Sequence, residues 1–148
     1  NFGAQKIDRV KQTLKLGIVS GVVITSSGFF ICELFPHAVS AIFTDSDHLI
    51  DLAVDGLRIT VIMFPFVGAQ IVIGNFFQSI GKAKISIFLS LTRQLLYLLP
   101  CLLLFPNWWG LKGIWISMPV SDALAFITAV VSLIIYIKKV SKQHLIAE

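Results

Sequence analysis

The chain has 148 residues, 56% of them hydrophobic and only 14% charged, with a formal net charge of +4 and a mean hydropathy of +0.87. Soluble domains run at about 45–50% apolar and roughly 25% charged residues, so a soluble globule is excluded, as is a disordered chain, which requires low hydrophobicity. The basic excess reads as helix orientation in a bilayer and not as a nucleic-acid footprint, so nucleic acid is excluded as a partner.

A spanning helix needs roughly 20 mostly apolar residues, and four such stretches follow in order. Before the first, the chain opens on Asn1 rather than Met, and Asn1–Ala4 is no signal peptide, so a fragment of a longer chain is expected. The first span, roughly 14–35, is approached through Lys6, Arg9, Lys11 and Lys15 and is uncharged from Leu16 to Cys32. Gly17 and Gly21 give it a small-residue face suited to close helix packing. Cys32, like Cys101 in the third span, belongs to no metal or redox motif and reads as a buried free thiol.

An outer loop, 36–56, follows, and Thr44 to Asp47 supply N-cap candidates for a helix running into the second span. Asp47, Asp51 and Asp55 recur every four residues as an acidic stripe, read as a solvated face with Asp55 pairing Arg58; a cation-collecting site is the alternative. His37, His48 and His144 are isolated and read as surface or interfacial.

The second span, roughly 57–80, carries Thr60, Met63, Val67, Gln70, Gly74, Gln78 and Gly81 on one helical face. Met63, Gln70, Gly74 and Gln78 are the candidates to line a substrate cavity, the other reading being helix packing through Gln hydrogen bonds. The third span, roughly 85–105, presents Ser86, Ser90, Arg93, Tyr97 and Cys101 on one face. The fourth, roughly 113–137, holds Asp122 as its one interior charge. Arg93 lies about 12 Å from one end of its span and Asp122 about 13–14 Å from the opposite end of its own. In a core about 30 Å thick the two depths differ by only about 4–5 Å, so adjacent antiparallel helices can join them as an intramembrane ion pair, structural or gating.

Pro65, Pro100 and Pro119 fall inside the last three spans and favour kinks. Nine of the twelve basic residues lie on one side: the four before span one, Lys82 and Lys84, and Lys138, Lys139 and Lys142. The positive-inside rule places both termini in the cytoplasm, with Trp108, Trp109 and Trp115 as an outer aromatic belt and Tyr136 at the inner interface. The residues form no phosphate loop, metalloprotease motif or activated nucleophile, so neither an enzyme nor a cofactor or metal site is expected.

Several stretches together resemble transporters of the multidrug and toxic compound extrusion (MATE) family. They are Asn1-Phe-Gly-Ala4 with Lys6 and Asp8-Arg9, Ile42 to Asp47 leading to Leu57-Arg58-Ile59, and Phe76 to Lys84. Leu91 to Gln94, Pro100, Gly110 to Trp115, Pro119 and Asp122 continue the likeness in order. The resemblance implies an all-α membrane protein of which these are four transmembrane helices, spans nine to twelve, within a six-helix lobe of a twelve-helix transporter. It implies exchange of sodium or protons for amphipathic cationic drugs across a bacterial-type cytoplasmic membrane, with membrane lipid and a missing amino-terminal lobe as partners. Some branches of the family place a cation-binding acid in the span matching 57–80; this chain has Gln70, Asn75 and Gln78 there, so the coupling-ion site is expected in the missing part. Three alternatives stand beside this: a lipid-linked oligosaccharide flippase of the same superfamily, a four-span dimeric drug exporter, and a non-transporting membrane scaffold.

Overall fold

The structure, a computed structural model, describes the backbone of residues 1–146 and side chains through residue 140. Lys142 and His144, named above, lie outside the described side chains. The described chain is helical and holds four helices long and apolar enough to cross a membrane: Ile7–Leu34, Asp47–Ser79, Ala83–Trp109 and Leu111–Val140.

The first helix, α1 (Ile7–Leu34), carries Asp8 in its first turn, where the positive end of the helix dipole favours an acid. It starts seven residues before the span expected at 14, because its first two turns are polar and are invisible to a count of apolar residues. It stops at Phe35, whose N–H donates to the Ile31 carbonyl at 3.0 Å. Pro36 cannot continue the α1 ladder, and it opens the short α2 (Pro36–Ala41). The segment expected as an outer loop is therefore partly helical, with α3 (Asp47–Thr60) beginning inside it. Ser46 occupies the N-cap position of α3, yet its side chain makes no capping bond; the Thr44 hydroxyl instead accepts the Ser46 N–H at 3.3 Å.

After α3 the helix tightens into a 3₁₀ turn at Val61–Met63 and resumes as α4 (Phe64–Ser79). Pro65 in the first turn of α4 supplies no N–H, which accounts for the break in the regular ladder there. The end of α4 is a Schellman motif. Lys82 N–H donates to the Phe77 carbonyl at 2.8 Å and Gly81 N–H to the Gln78 carbonyl at 3.1 Å. Gly81 takes φ +75°, a conformation that costs glycine little. The third span comprises α5 (Ala83–Leu91), a π-helical stretch at Thr92–Leu98 and α6 (Leu99–Trp109). The last helix, α7 (Leu111–Ile146), runs on through Pro119, which lies inside it.

Two close crossings hold the bundle. Gly21 of α1 meets Gly68 of α4, where a Cβ added to Gly68 would collide with the Gly21 carbonyl and the Thr25 hydroxyl. Thr25 Oγ1 is itself satisfied by donating to the Gly21 carbonyl at 2.9 Å. Gly113 of α7 packs in the same manner on the Phe105 carbonyl of α6. In an apolar medium such contacts replace the hydrophobic effect as the source of helix association. A core of Leu14, Ile73, Phe77, Leu89, Ala129 and Leu133 joins α1, α4, α5 and α7. Tyr136 lies edge-on to Phe77, with ring centroids 5.4 Å apart. Only 6% of the apolar window of α1 is buried, so that helix offers most of its surface to lipid or to further protein. Cys32 and Cys101 are free and half-buried rather than buried, because each sits on a span with one outward side.

Candidate functional site

Arg93 and Asp122 meet directly. Arg93 Nε donates to Asp122 Oδ1 at 2.8 Å, joining the π-helical stretch to α7. Asp122 is 6% exposed, whereas the Arg93 side chain retains 36% of its exposure. One charge is thus embedded among helices and its partner reaches toward the bundle's surface. One turn beyond Arg93, the Tyr97 hydroxyl and Thr128 Oγ1 share a hydrogen bond of 2.7 Å. Arg93 and Tyr97 both belong to the π-helical stretch, which widens the helix and re-aims side chains. Pro100, which lacks the donor needed to close a regular turn, lies just beyond it. On the facing helix, Ser117 and Ser121 are buried and donate to the Gly113 and Met118 carbonyls, both at 2.8 Å. The result is a polar seam between the third and fourth spans, with a charge pair at its centre.

The candidate cavity-lining residues lie along the second span, from the 3₁₀ turn to the end of α4. Gly68 and Val72 of α4 face α1, and Ile73 and Phe77 enter the core. Gln70 and Gly74 lie about 200° and 240° around the helix from Gly68, on the far side from α1. A Cβ placed on Gly74 would have no heavy atom within 4 Å. Gln70 is half-buried, and its Oε1 is enclosed without a hydrogen-bond partner. Met63 is half-buried about two turns before Gln70, in the 3₁₀ turn, and Gln78 is exposed near the end of α4. The stripe thus runs along the edge of the contact between α4 and α7, where Phe66 meets Phe126 at 5.2 Å and Phe77 meets Tyr136; Gln70 is enclosed there, and the open space lies beside Gly74. The stripe does not join the Arg93–Asp122 pair in one pocket among the cavities described.

At the carboxyl-terminal end of α3, the guanidinium of Arg58 lies 3.9 Å from Glu33 of α1 and not beside Asp55, since α1 packs within reach of the last turn of α3. Both partners remain well exposed, so the contact contributes little to stability. Asp47, Asp51 and Asp55 are exposed, and no group of three metal-ligating side chains occurs among the described residues. His37 and His48 are exposed. Trp108 and Trp109 are exposed, while Trp115 packs over Gly56, where an added Cβ would sit 2.7 Å from the indole.

The sequence signals for the π-helical stretch and for the unpaired Gln70 acceptor are weak. Pro100 seven residues after Arg93 is the one clue to the first, and the second depends on side-chain packing that periodicity does not carry.

The MatE family model matches residues 1–103. A solved chain named protein A is 37% identical, with a TM-score of 0.83 over 90% of this chain and 30% of its own length. An inward-facing multidrug resistance MATE family transporter of the MOP superfamily gives a TM-score of 0.89 at 20% identity, over 95% of this chain and 33% of the other. An outward-facing transporter of the same description gives 0.88 at 20% identity, over 95% and 32%. The chain therefore spans about a third of the length of the structures it matches. No curated protein matched the sequence.

Proposed function

The chain belongs to the MATE family, and from that membership we propose that it forms the carboxyl-terminal third of a cation-coupled antiporter that exports amphipathic cationic drugs. The carrying observation is the polar stripe of α4, where the Gln70 acceptor is enclosed without a donor and Gly74, one turn on, borders open space. A buried acceptor without a partner costs about 1–3 kcal/mol, a cost relieved when the Gln70 amide turns toward the space at Gly74 and accepts from an N–H donor on a bound cation. Met63 supplies an adaptable apolar contact for varied ring systems, and Gln78 a polar one nearer the end of the helix.

The equal fit of these helices to an inward-facing and an outward-facing relative supports alternating access in which the unit moves as one body. In this reading the coupling ion, sodium or proton, binds in the remainder of the transporter, and the Arg93–Asp122 pair steadies or gates the joint between the third and fourth spans. Both ends of the chain then face the cytoplasm of a cell whose inner membrane holds the protein. An oligosaccharide flippase is less well supported, because among the described residues Arg93 is the one basic residue near the middle of a span and its charge is engaged by Asp122.

The test is dye efflux from cells or proteoliposomes carrying the full-length transporter, with imposed sodium and proton gradients in turn. Gradient-driven efflux of a cationic dye is expected, and Gln70→Leu raises KM by about 10-fold, as expected for one lost hydrogen bond to a charged ligand. Efflux indifferent to both gradients overturns the antiporter reading, and a KM unchanged by Gln70→Leu removes Gln70 from the cavity.

A further inference from the structure

A cavity of about 1030 Å³ opens at the end of the bundle where the basic residues gather, between the start of α1, the turn joining α4 to α5, and the end of α7. Its polar wall carries three ammonium groups, Lys82, Lys84 and Lys139, and no carboxylate is among its described lining residues. Its remaining surface is mainly apolar, with Ile80, Ile85, Phe88 and Ile135 on the walls and Tyr136 between the two zones.

The arrangement follows from the local sequence. The Schellman turn at Gly81 ends α4 and delivers Lys82 and Lys84 to one wall, and Lys139 stands one turn beyond Tyr136 on the other. Along α7, Ser132 lies about 10 Å from the level of Lys139, and Phe88 lies about 6 Å along α5 from Lys84. Charge is therefore confined to one end of the cavity, with apolar surface reaching into the membrane below it. The volume is at the upper end of what small-ligand sites use, about 300–1,000 Å³. Three lysines with no carboxylate among the described lining residues, above an apolar slot, match one ligand chemistry, an anionic headgroup attached to acyl chains.

We propose that this cavity is a binding site for an anionic phospholipid, whose phosphate is held by Lys82, Lys84 and Lys139 while its chains lie against Ile85, Phe88 and Ile135. A juxtamembrane lysine attracts an anionic lipid by about fivefold in affinity, so three together contribute on the order of a hundredfold. Tyr136, with an apolar ring and a polar tip, suits the boundary between headgroup and chain. The site is separate from the Gln70 stripe and does not depend on which ion or substrate the transporter handles.

The experiment uses the full-length transporter in nanodiscs of phosphatidylcholine with increasing phosphatidylglycerol, read by native mass spectrometry of the lipid retained on release. Preferential retention of phosphatidylglycerol is expected. The triple variant Lys82→Gln, Lys84→Gln, Lys139→Gln weakens it on the order of a hundredfold. A control triple, Lys6→Gln, Arg9→Gln, Lys15→Gln, removes equal charge from residues that do not line this cavity, and leaves retention unchanged. Equal loss in both triples overturns the proposal in favour of diffuse surface attraction. Displacement of the lipid by inorganic phosphate alone overturns it in favour of a free-anion site. Equal retention of the neutral and anionic lipids in the unaltered protein overturns it without any variant, so a variant that fails to fold does not shield the proposal.

Discussion

Arg93 and Asp122 are the two side chains whose placement costs the bundle most if either stands alone. Asp122 is 6% exposed, and an ionised carboxylate there needs its partner. Removing one member of a buried pair costs about 3–5 kcal/mol, and the 36% exposure of the Arg93 side chain places the loss toward the lower end. Arg93→Gln and Asp122→Asn should each lower thermal stability in detergent, and the double variant should recover part of the loss. Additive losses in that cycle would show that the two residues do not act as a pair. Counting residues along each span gave the two depths. It could not give the rotation of either helix, and rotation decides whether the side chains touch. The Arg58 contact illustrates the difference: spacing along α3 favoured Asp55, whereas the packing of α1 brings Glu33 to the guanidinium.

Between residue and bundle, the third span is the element whose behaviour was least readable. Apolar length located it, and Pro100 announced a disturbance, but the form taken is a π-helical stretch covering Thr92–Leu98. The same class of residue has three outcomes in one chain. Pro65 follows a 3₁₀ turn, Pro100 follows a π-helical stretch, and Pro119 is carried within a continuous helix. Proline identity sets the missing donor; neighbouring packing sets how the freed carbonyls are accommodated. The short α2 escaped notice for another reason, since six residues between two spans carry no usable periodicity. Replacing Pro100 with Ala restores a backbone donor and removes an internal-proline penalty of up to about 3 kcal/mol. Pro100→Ala should therefore raise the melting temperature. If the π-helical stretch has a part in gating, the same change allows it to relax toward a regular helix and rotates Arg93 and Tyr97 relative to α7, and dye efflux should slow. A more stable variant with undiminished efflux would make the stretch a purely structural accommodation.

At the scale of the molecule, the apolar composition that excluded a soluble domain is divided between two uses. A modest core joins the four spans, and many large apolar side chains remain outward, among them Leu16 and Ile24 of α1 and Leu95, Leu96 and Leu103 of the third span. Interior packing through Gly21–Gly68 and Gly113–Phe105 brings backbones into contact, and such interfaces have two arrangements or one, not a continuum. In the alternating-access reading proposed above, the four helices keep one internal arrangement in both states. Motion is then expected at the unit's borders, where its apolar faces meet lipid or the remainder of the transporter. Spin labels placed on Ser27 of α1 and Ser90 of α5, in full-length protein with Cys32 and Cys101 replaced, measure this directly. Both positions are exposed on different spans, so the labels sample the bundle's width without entering its core. Their separation should stay constant when the driving gradient is imposed or a cationic substrate is added, while the distance from either label to one outside these four spans changes. A shift in the Ser27–Ser90 distance would mean that the four helices rearrange among themselves. Gating would then lie within the unit, with the π-helical joint at Arg93 as the first place to look for it.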